Sequence, residues 1–361
     1  MENQGQKQHY KKLQNILQYL PWYVEEYINH KRRKLSSASL LNYAHDYKIF
    51  FNWLRSENLH SGDIKDIPLE LLESLTIQQA EGFLSFLEYQ LNNKGITVNR
   101  KLSALKSLFN YLQNIAETRD LTPYLSRNVM AKIEFNELKD SMETIANKME
   151  GKILLGDEYE KFRHFIANDY GQFNKKNKKL YNFHLLNRER DTAIVSLILG
   201  SGLRLSEVVN LNLDDIDHSK YTARVVRKGN KEQFVYFSKL AMDDLKEYLS
   251  IRETRYKIKK TNKALFVAAA MGPKGTPRRL TARSIEKLIE KYATAFGKPA
   301  LSVHKLRHSF ATRYHIEIND VPKLRRQLGH SSIQTTMIYT HIGNDDLKHA
   351  VDKMDIPKGD D

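Results

Sequence analysis

From Ala38 to Leu54 the apolar residues Leu40, Tyr43, Ala44, Tyr47, Phe50, Phe51 and Leu54 recur at three- and four-residue spacing. That period predicts an amphipathic helix with one aromatic-rich face. Ser36 and Ser37 precede it as N-cap candidates. A second helix is predicted from Thr76, where Gln79 completes a capping box, to about Leu91; Lys94 and Gly95 break it. Thr97 is the expected cap of a third helix that turns Val98, Leu102, Leu105, Leu108, Phe109 and Leu112 inward and Arg100, Ser103, Lys106 and Asn110 outward. Past Thr118 the periodicity loosens, with Pro123 and then the charged stretch NELKDSMETIANKME.

In the second half, DTAIVSLIL (191–199) is almost continuously apolar and predicts a buried helix ending at Gly200 or Gly202. The stretch GQFNKKNKKLYNF (171–183) reads as an exposed loop. Tyr221–Arg227 and Glu232–Phe237 are strand-like runs around Lys228-Gly229-Asn230-Lys231, a hairpin signal. Thr281 is placed to cap a helix with Arg283 in its first turn. Pro322, Leu324, Leu328 and Gly329 outline a short helix that delivers His330 at its end, with Ser331 or Ser332 capping the next one. The expected fold is mainly α with a small β-sheet. Its parts are an N-terminal helical domain over 15–120, a partly helical linker over 121–150 and a mixed α/β domain over 151–361.

Composition narrows the classes. The chain has 361 residues, 41% of them hydrophobic, enough for two cores. Zero cysteines exclude disulfides, thiolate zinc sites and a cysteine nucleophile. The polar start MENQGQKQHYKK lacks a leader's apolar region and no apolar run is long enough for a bilayer, which together predict a cytoplasmic protein. A net charge of +15 points to a polyanionic partner, nucleic acid being the commonest. Lys31, Arg32 and Arg33, just before the first helix, read either as a solvated loop or as backbone contacts to DNA. The outer face carrying Arg100 and Lys106 has the same two readings. Cations at a helix start oppose the macrodipole, so Arg278, Arg279 and Arg283 are expected to answer an outside anion, for which phosphate is the natural candidate. The segment from Asn344 on carries six Asp against three Lys and is expected to avoid a phosphate backbone.

Candidate chemistry concentrates between Ser302 and His341. His304 and His308 have the helical spacing of metal ligands, yet Lys305 stands where a metalloprotease needs Glu, and Arg307 repels a cation; no metal is expected. Arg307 shares a face with His304, and guanidinium with imidazole suits a phosphate. Arg204 lies in a turn between packed helices, where a buried guanidinium needs an anion. Glu207 is either a purely structural partner or the group that orients Arg204 toward a substrate. Lys228 at a hairpin tip reads, on its own, as a solubilising residue. Tyr339 falls at the end of a short, late helix.

GLRLSE, the Lys228 hairpin, HKLRH, LGH and the IYTH box resemble, in order and approximate spacing, the motifs of the tyrosine recombinases, the lambda-integrase-like family. PWYVEEY and LGHSS…TTMIYTHI resemble the single-protein XerS-like members of the Xer type. The resemblance implies a core-binding (SAM-like) helical domain followed by a catalytic domain. It also implies Arg204 and Arg307 clamping the scissile phosphate, Lys228 as general acid, His304 and His330 as the histidine positions, Tyr339 as nucleophile and Glu207 supporting Arg204. Nearby cations are expected to favour the phenolate. It further implies a double-stranded recombination site as substrate, a homodimer on one site, a homotetramer at synapsis with C-terminal exchange, and no cofactor. An accessory division or DNA-translocase protein fits the same picture. Chromosome-dimer resolution is the expected role, with mobile-element integration as the alternative. A silent DNA-binding regulator and a metal-dependent nuclease are the competing classes.

Overall fold

The computed structural model describes residues 4–137, 142–227, 231–270 and 275–342. It divides the chain into two compact units, Met1–Lys139 and Asp140–Asp361.

The first unit is helical: α1 (Gln4–Leu17), α2 (Trp22–Lys31), α3 (Ser37–Ser56), α4 (Leu69–Ser74), α5 (Ile77–Ser85, continued as a π turn to Gln90) and α6 (Gly95–Asn114). The Ser36 side chain caps α3 by accepting from Ser39 N, and the Thr76–Gln79 capping box is formed. The α6 helix begins at Gly95, ahead of the Thr97 cap that periodicity predicts. The reason is that the Lys94 carbonyl already accepts from Thr97 and Val98, which puts Thr97 inside the first turn. Tyr23, Tyr27, Tyr47, Phe50, Phe51, Phe83 and Phe109 fill the core with edge-to-face aromatic contacts. Leu125, Val129, Met130 and Ile133 are buried in the same core.

One buried carboxylate joins α3 to α6. Asp46, 3% exposed, accepts from both Arg100 and Lys101, the latter at 2.9 Å. Asp46→Ala leaves the buried Lys101 ammonium unpaired and is expected to cost roughly 3–5 kcal/mol in urea unfolding.

The second unit runs α7 (Met142–Glu150), α8 (Glu158–His164), α9 (Tyr170–Phe173), α10 (Lys178–Ser201) and α11 (Leu205–Asn210). A three-stranded antiparallel sheet follows: β1 (Ile216–Asp217), β2 (Thr222–Arg227), β3 (Lys231–Tyr236). Then come α12 (Lys239–Tyr256), the paired β4 (Val267–Ala268) and β5 (Arg278–Arg279), α13 (Ala282–Ala295), α14 (Val303–Ile318), α15 (Val321–Leu328) and α16 (Gln334–Met337). The expected loop over 171–183 is mostly helix: α9 ends at Phe173, and the Asn177 side chain caps α10 by accepting from Leu180 N. Only 174–177, with Lys175 and Lys176, form the expected turn; Lys178 and Lys179 are exposed in the first turn of α10, where lysine is a good helix former. Long and buried through 189–199, α10 packs on α12 and α14 and forms the axis of the unit. Among the described residues no helix is long and apolar enough to cross a membrane.

Beside that axis lies a buried polar relay. Tyr292 donates to Asp191 at 2.9 Å, and Nδ1 of His184, 3.1 Å from the Tyr292 oxygen, donates to it. Burial, with Lys291 nearby, pushes His184 down to about 4. The unfolded chain therefore binds the extra proton first, near pH 6.5. Stability is fully present above that value and falls as pH drops from about 6.5 toward 4. Thermal melts from pH 7 to pH 4 should show this slope, and His184→Gln should reduce it, leaving the part that His304, His308 and His330, also lowered, contribute.

Candidate functional site

The site is built around the C-terminus of α15. Asp320 opens this helix by accepting from Lys323 N, with Pro322 in the first turn, and Gly329 closes it in the left-handed region at φ 61°. A helix leaves its last carbonyls without intrahelical partners and carries partial negative charge there. Here side chains answer them one by one. Arg326 O accepts from Gln233 at 2.6 Å, Gln327 O from Arg227 at 3.0 Å, Leu328 O from Arg307 at 2.8 Å, and Gly329 O from Arg204 at 3.0 Å. Three guanidinium groups thus converge on one helix end. A Cβ at position 329 would overlap the Arg227 guanidinium, so glycine is required there on both counts.

Arg204 is held by Glu207, whose Oε2 accepts from the Arg204 backbone N–H at 2.9 Å and whose Oε1 accepts from Nη1 at 3.0 Å. The same Oε1 accepts from Arg227 Nε at 3.0 Å, so one buried carboxylate serves two cations. Arg204 keeps 37% of its side chain exposed, whereas Arg227 keeps 9%. Arg307, on α14, is buried and donates to Gly202 O at 2.5 Å. Gly202 itself takes φ 69°, and a Cβ there would sit 2.5 Å from the Phe310 ring. Desolvation, with Arg204 beside it, lowers Arg307 to about 10, still protonated at neutral pH.

Because a guanidinium only donates, the 3.0 Å contact from Arg307 Nη2 makes His330 Nε2 an acceptor. Its Nδ1–H then donates to Thr336 Oγ1 at 3.0 Å, which fixes a neutral tautomer. Burial and the neighbouring arginines agree, holding His330 down to about 4. His304 stands exposed in the first turn of α14, its ring edge-on to His308 with centroids 4.3 Å apart. Desolvation and the adjacent cations lower it as well.

Tyr339 lies in a single 3₁₀ turn, Ile338–His341, after α16. The turn before it starts at Ile333 without a side-chain cap, and Ser332 instead accepts from Gln334 N within the loop. The ring is 1% exposed, packed with Ala146, Met149, Ala311, Leu324 and Leu328. Its hydroxyl is 2.8 Å from Nδ1 of His308. Burial raises the phenol to about 12 even though Arg307 and Arg204 pull the other way. The expectation that nearby cations favour phenolate is therefore corrected for this conformation, since desolvation outweighs them. His308, which the sequence offered only as half of a metal pair, is pushed down to about 3 by burial and His304. It is thus a neutral imidazole at the hydroxyl.

Lys228 lies outside the described residues, as does the acidic segment from Asn344 on. Of the other cations, Lys31 sits over the Tyr27 ring, Arg32 over Tyr10, and Arg33 is exposed. Arg100 is half exposed and tied to Asp46. Lys106 turns back to Ala131 O and the Phe135 ring. Arg278 is exposed on β5, and Arg283 reaches Glu286 at 3.5 Å. Arg279 does not face an outside anion: it donates to Val209 O and Leu211 O, both at 2.7 Å, and to Asn212. Orphan carbonyls at the end of α11 are the stronger claim on that guanidinium.

Guanidinium groups, neutral imidazoles and a phenol gathered around one helix end suit phosphodiester chemistry, and over residues 173–345 the chain matches the phage integrase family. More narrowly, the chain belongs to the tyrosine recombinases. It is 40% identical over 346 residues to tyrosine recombinase XerS of Streptococcus gordonii, covering 93% of this chain and 96% of the relative. To XerS of Streptococcus mutans it is 38% identical over 354 residues, with 95% and 98% covered. Among solved structures, it is similar to the XerH site-specific recombinase bound to palindromic difH substrate in a post-cleavage complex. That match has a TM-score of 0.64 at 23% identity and covers 91% and 83% of the two chains. A lambda integrase dimer bound to a COC′ core site follows at TM-score 0.57 and 14% identity, with 88% and 93% covered. These structures share the fold.

Proposed function

We propose that this recombinase cuts and rejoins DNA at a specific duplex site through a 3′-phosphotyrosine on Tyr339, and that its task is to resolve chromosome dimers at cell division. The observation that carries the reading is the convergence of Arg204, Arg307 and His330 on the end of α15, next to a tyrosine 2.8 Å from an imidazole nitrogen.

The chemistry follows from those groups. Tyr339 Oη attacks the scissile phosphorus, the P–O5′ bond breaks, and the 5′ oxygen leaves as a hydroxyl after taking a proton, for which Lys228 is the candidate donor. With the docked phenol at about 12, roughly 10⁻⁵ of it is ionised at pH 7, so deprotonation accompanies attack. A base with a pKa near the working pH contributes about 10²–10⁴-fold; His308, held at about 3, is a weak base in the docked state, where it accepts the hydrogen bond of the resting hydroxyl. Arg204 and Arg307 stabilise charge on the non-bridging oxygens, His330 holds the Arg307 guanidinium through the hydrogen bond it accepts, and Glu207 keeps Arg204 aimed. The covalent ester conserves the bond energy, so a 5′-hydroxyl of the second strand rejoins the backbone without ATP. In this conformation Tyr339 is covered, and reaction requires the Ile338–His341 turn to leave its bed.

Dimers on each duplex, a tetramer at synapsis, a cytoplasmic location and an accessory division or translocase protein complete the proposal. Sequencing junctions recovered from covalent complexes trapped in cells is the test. Junctions at one chromosomal locus, joining sister copies, are expected; junctions at the ends of a mobile element would overturn the dimer-resolution role.

A further inference from the structure

Arg227 belongs to no motif singled out in the sequence. As the last residue of β2, paired in register with Lys231, it reads as a hairpin residue bound for solvent. Instead its side chain is only 9% exposed, and each of its three nitrogens is engaged: Nε on Glu207 at 3.0 Å, Nη1 on Gln233 Oε1 at 2.6 Å, and Nη2 on Gln327 O at 3.0 Å. Burying a third guanidinium beside Arg204 and Arg307 is costly, and an apolar side chain of similar volume would serve stability as well or better. Desolvation does hold Arg227 below the ordinary arginine value.

Two features offset that cost. Through Glu207 and the α15 carbonyls, Arg227 links the carboxylate that aims Arg204 to the turn that carries His330. It also changes the charge count. Arg204, Arg227 and Arg307 against the single Glu207 leave two positive charges, the number of negative charges a pentacoordinate phosphorane carries on its non-bridging oxygens. Without Arg227 one remains.

We propose that Arg227 is a positioning residue for strand cleavage, setting the distance between Arg204 and the Gly329–His330 turn and supplying the second uncompensated positive charge behind the phosphate. This rests on the reading of Arg204 and Arg307 as the phosphate clamp. Arg227 touches no substrate; it acts through Glu207 and the end of α15.

The test uses the full chain, a nicked duplex site and the same duplex with a methylphosphonate at the scissile position, which removes one negative charge from the transition state. On the ordinary duplex, Arg227→Met should lower single-turnover cleavage by about 10²-fold, the scale of an ångström's misplacement. Site binding should stay within about threefold. Arg227→Lys, which keeps charge but not the paired caps, should fall between Met and wild type. On the methylphosphonate the Arg227→Met deficit should shrink at least tenfold relative to wild type. A deficit equal on both substrates, or one accounted for by the unfolded fraction in thermal melts, would reduce Arg227 to a structural cap and overturn the proposal; wild-type cleavage by Arg227→Met would overturn it too. Arg204→Ala, run in parallel, should also recover on the methylphosphonate. Its failure to do so would sink the clamp reading itself, whereas failure of Arg227→Met alone sinks only the positioning role.

Discussion

Tyr339→Phe will bind the recombination site with nearly unchanged affinity and form no covalent adduct on a nicked duplex. Affinity survives because binding is spread over many phosphates, none of which needs this hydroxyl. Fold survives because the ring, 1% exposed among Ala311, Leu324 and Leu328, is retained. The one lost hydrogen bond, to His308, is worth about 1 kcal/mol. Chemistry does not survive, since phenylalanine has no oxygen with which to attack the phosphorus. A denaturing gel of labelled duplex separates the outcomes: a band shifted by the mass of the protein for wild type, none for the variant, with equal shifts on a native gel. An adduct formed by Tyr339→Phe would move the nucleophile elsewhere.

Arg307 carries the second large effect. Its guanidinium is the most deeply set of the cluster and joins Gly202 O, Leu328 O and His330 Nε2 at one point. Arg307→Lys keeps a charge but cannot reach all three, and cleavage should fall by roughly 10²–10³-fold, the loss seen when one donor to a developing anion is removed. Arg307→Ala should lose at least as much. It should also unfold more easily, by about 1–3 kcal/mol for each buried carbonyl left unpaired. Single-turnover cleavage and urea unfolding, measured together, divide the catalytic from the structural part. Arg307→Lys with wild-type cleavage would remove it from the clamp. The same residue predicts a high-pH limit: lowered to about 10, it loses its proton before an ordinary arginine does, and cleavage should decline as pH rises through that value.

What the sequence reveals here is local. The Ser36 cap, the Thr76–Gln79 box, the left-handed glycines at 202 and 329 and the β2–β3 hairpin each follow from a few neighbouring residues. Each stands where those residues place it. The Arg204–Glu207 pair is legible for the same reason, lying within one turn of helix. Long-range geometry is not legible. Nothing near Arg279 announces that α11 would end against it, and nothing near Lys106 announces the Ala131 carbonyl. Tyr339 and His308 are far apart in sequence, and the core that holds the ring includes Ala146 and Met149, further still. Arg227 was hidden because its partners are Glu207, twenty residues back, Gln233 across the hairpin and a backbone carbonyl at the end of α15, which no motif brings together.

The central claim is a bond between one phenolic oxygen and phosphorus. Wild-type protein trapped on a nicked duplex, digested with nuclease and protease and mapped by mass spectrometry, should carry its nucleotide remnant on the peptide containing Tyr339, on that side chain. A remnant on any other residue, or a cleaved strand with no protein attached, would contradict the mechanism.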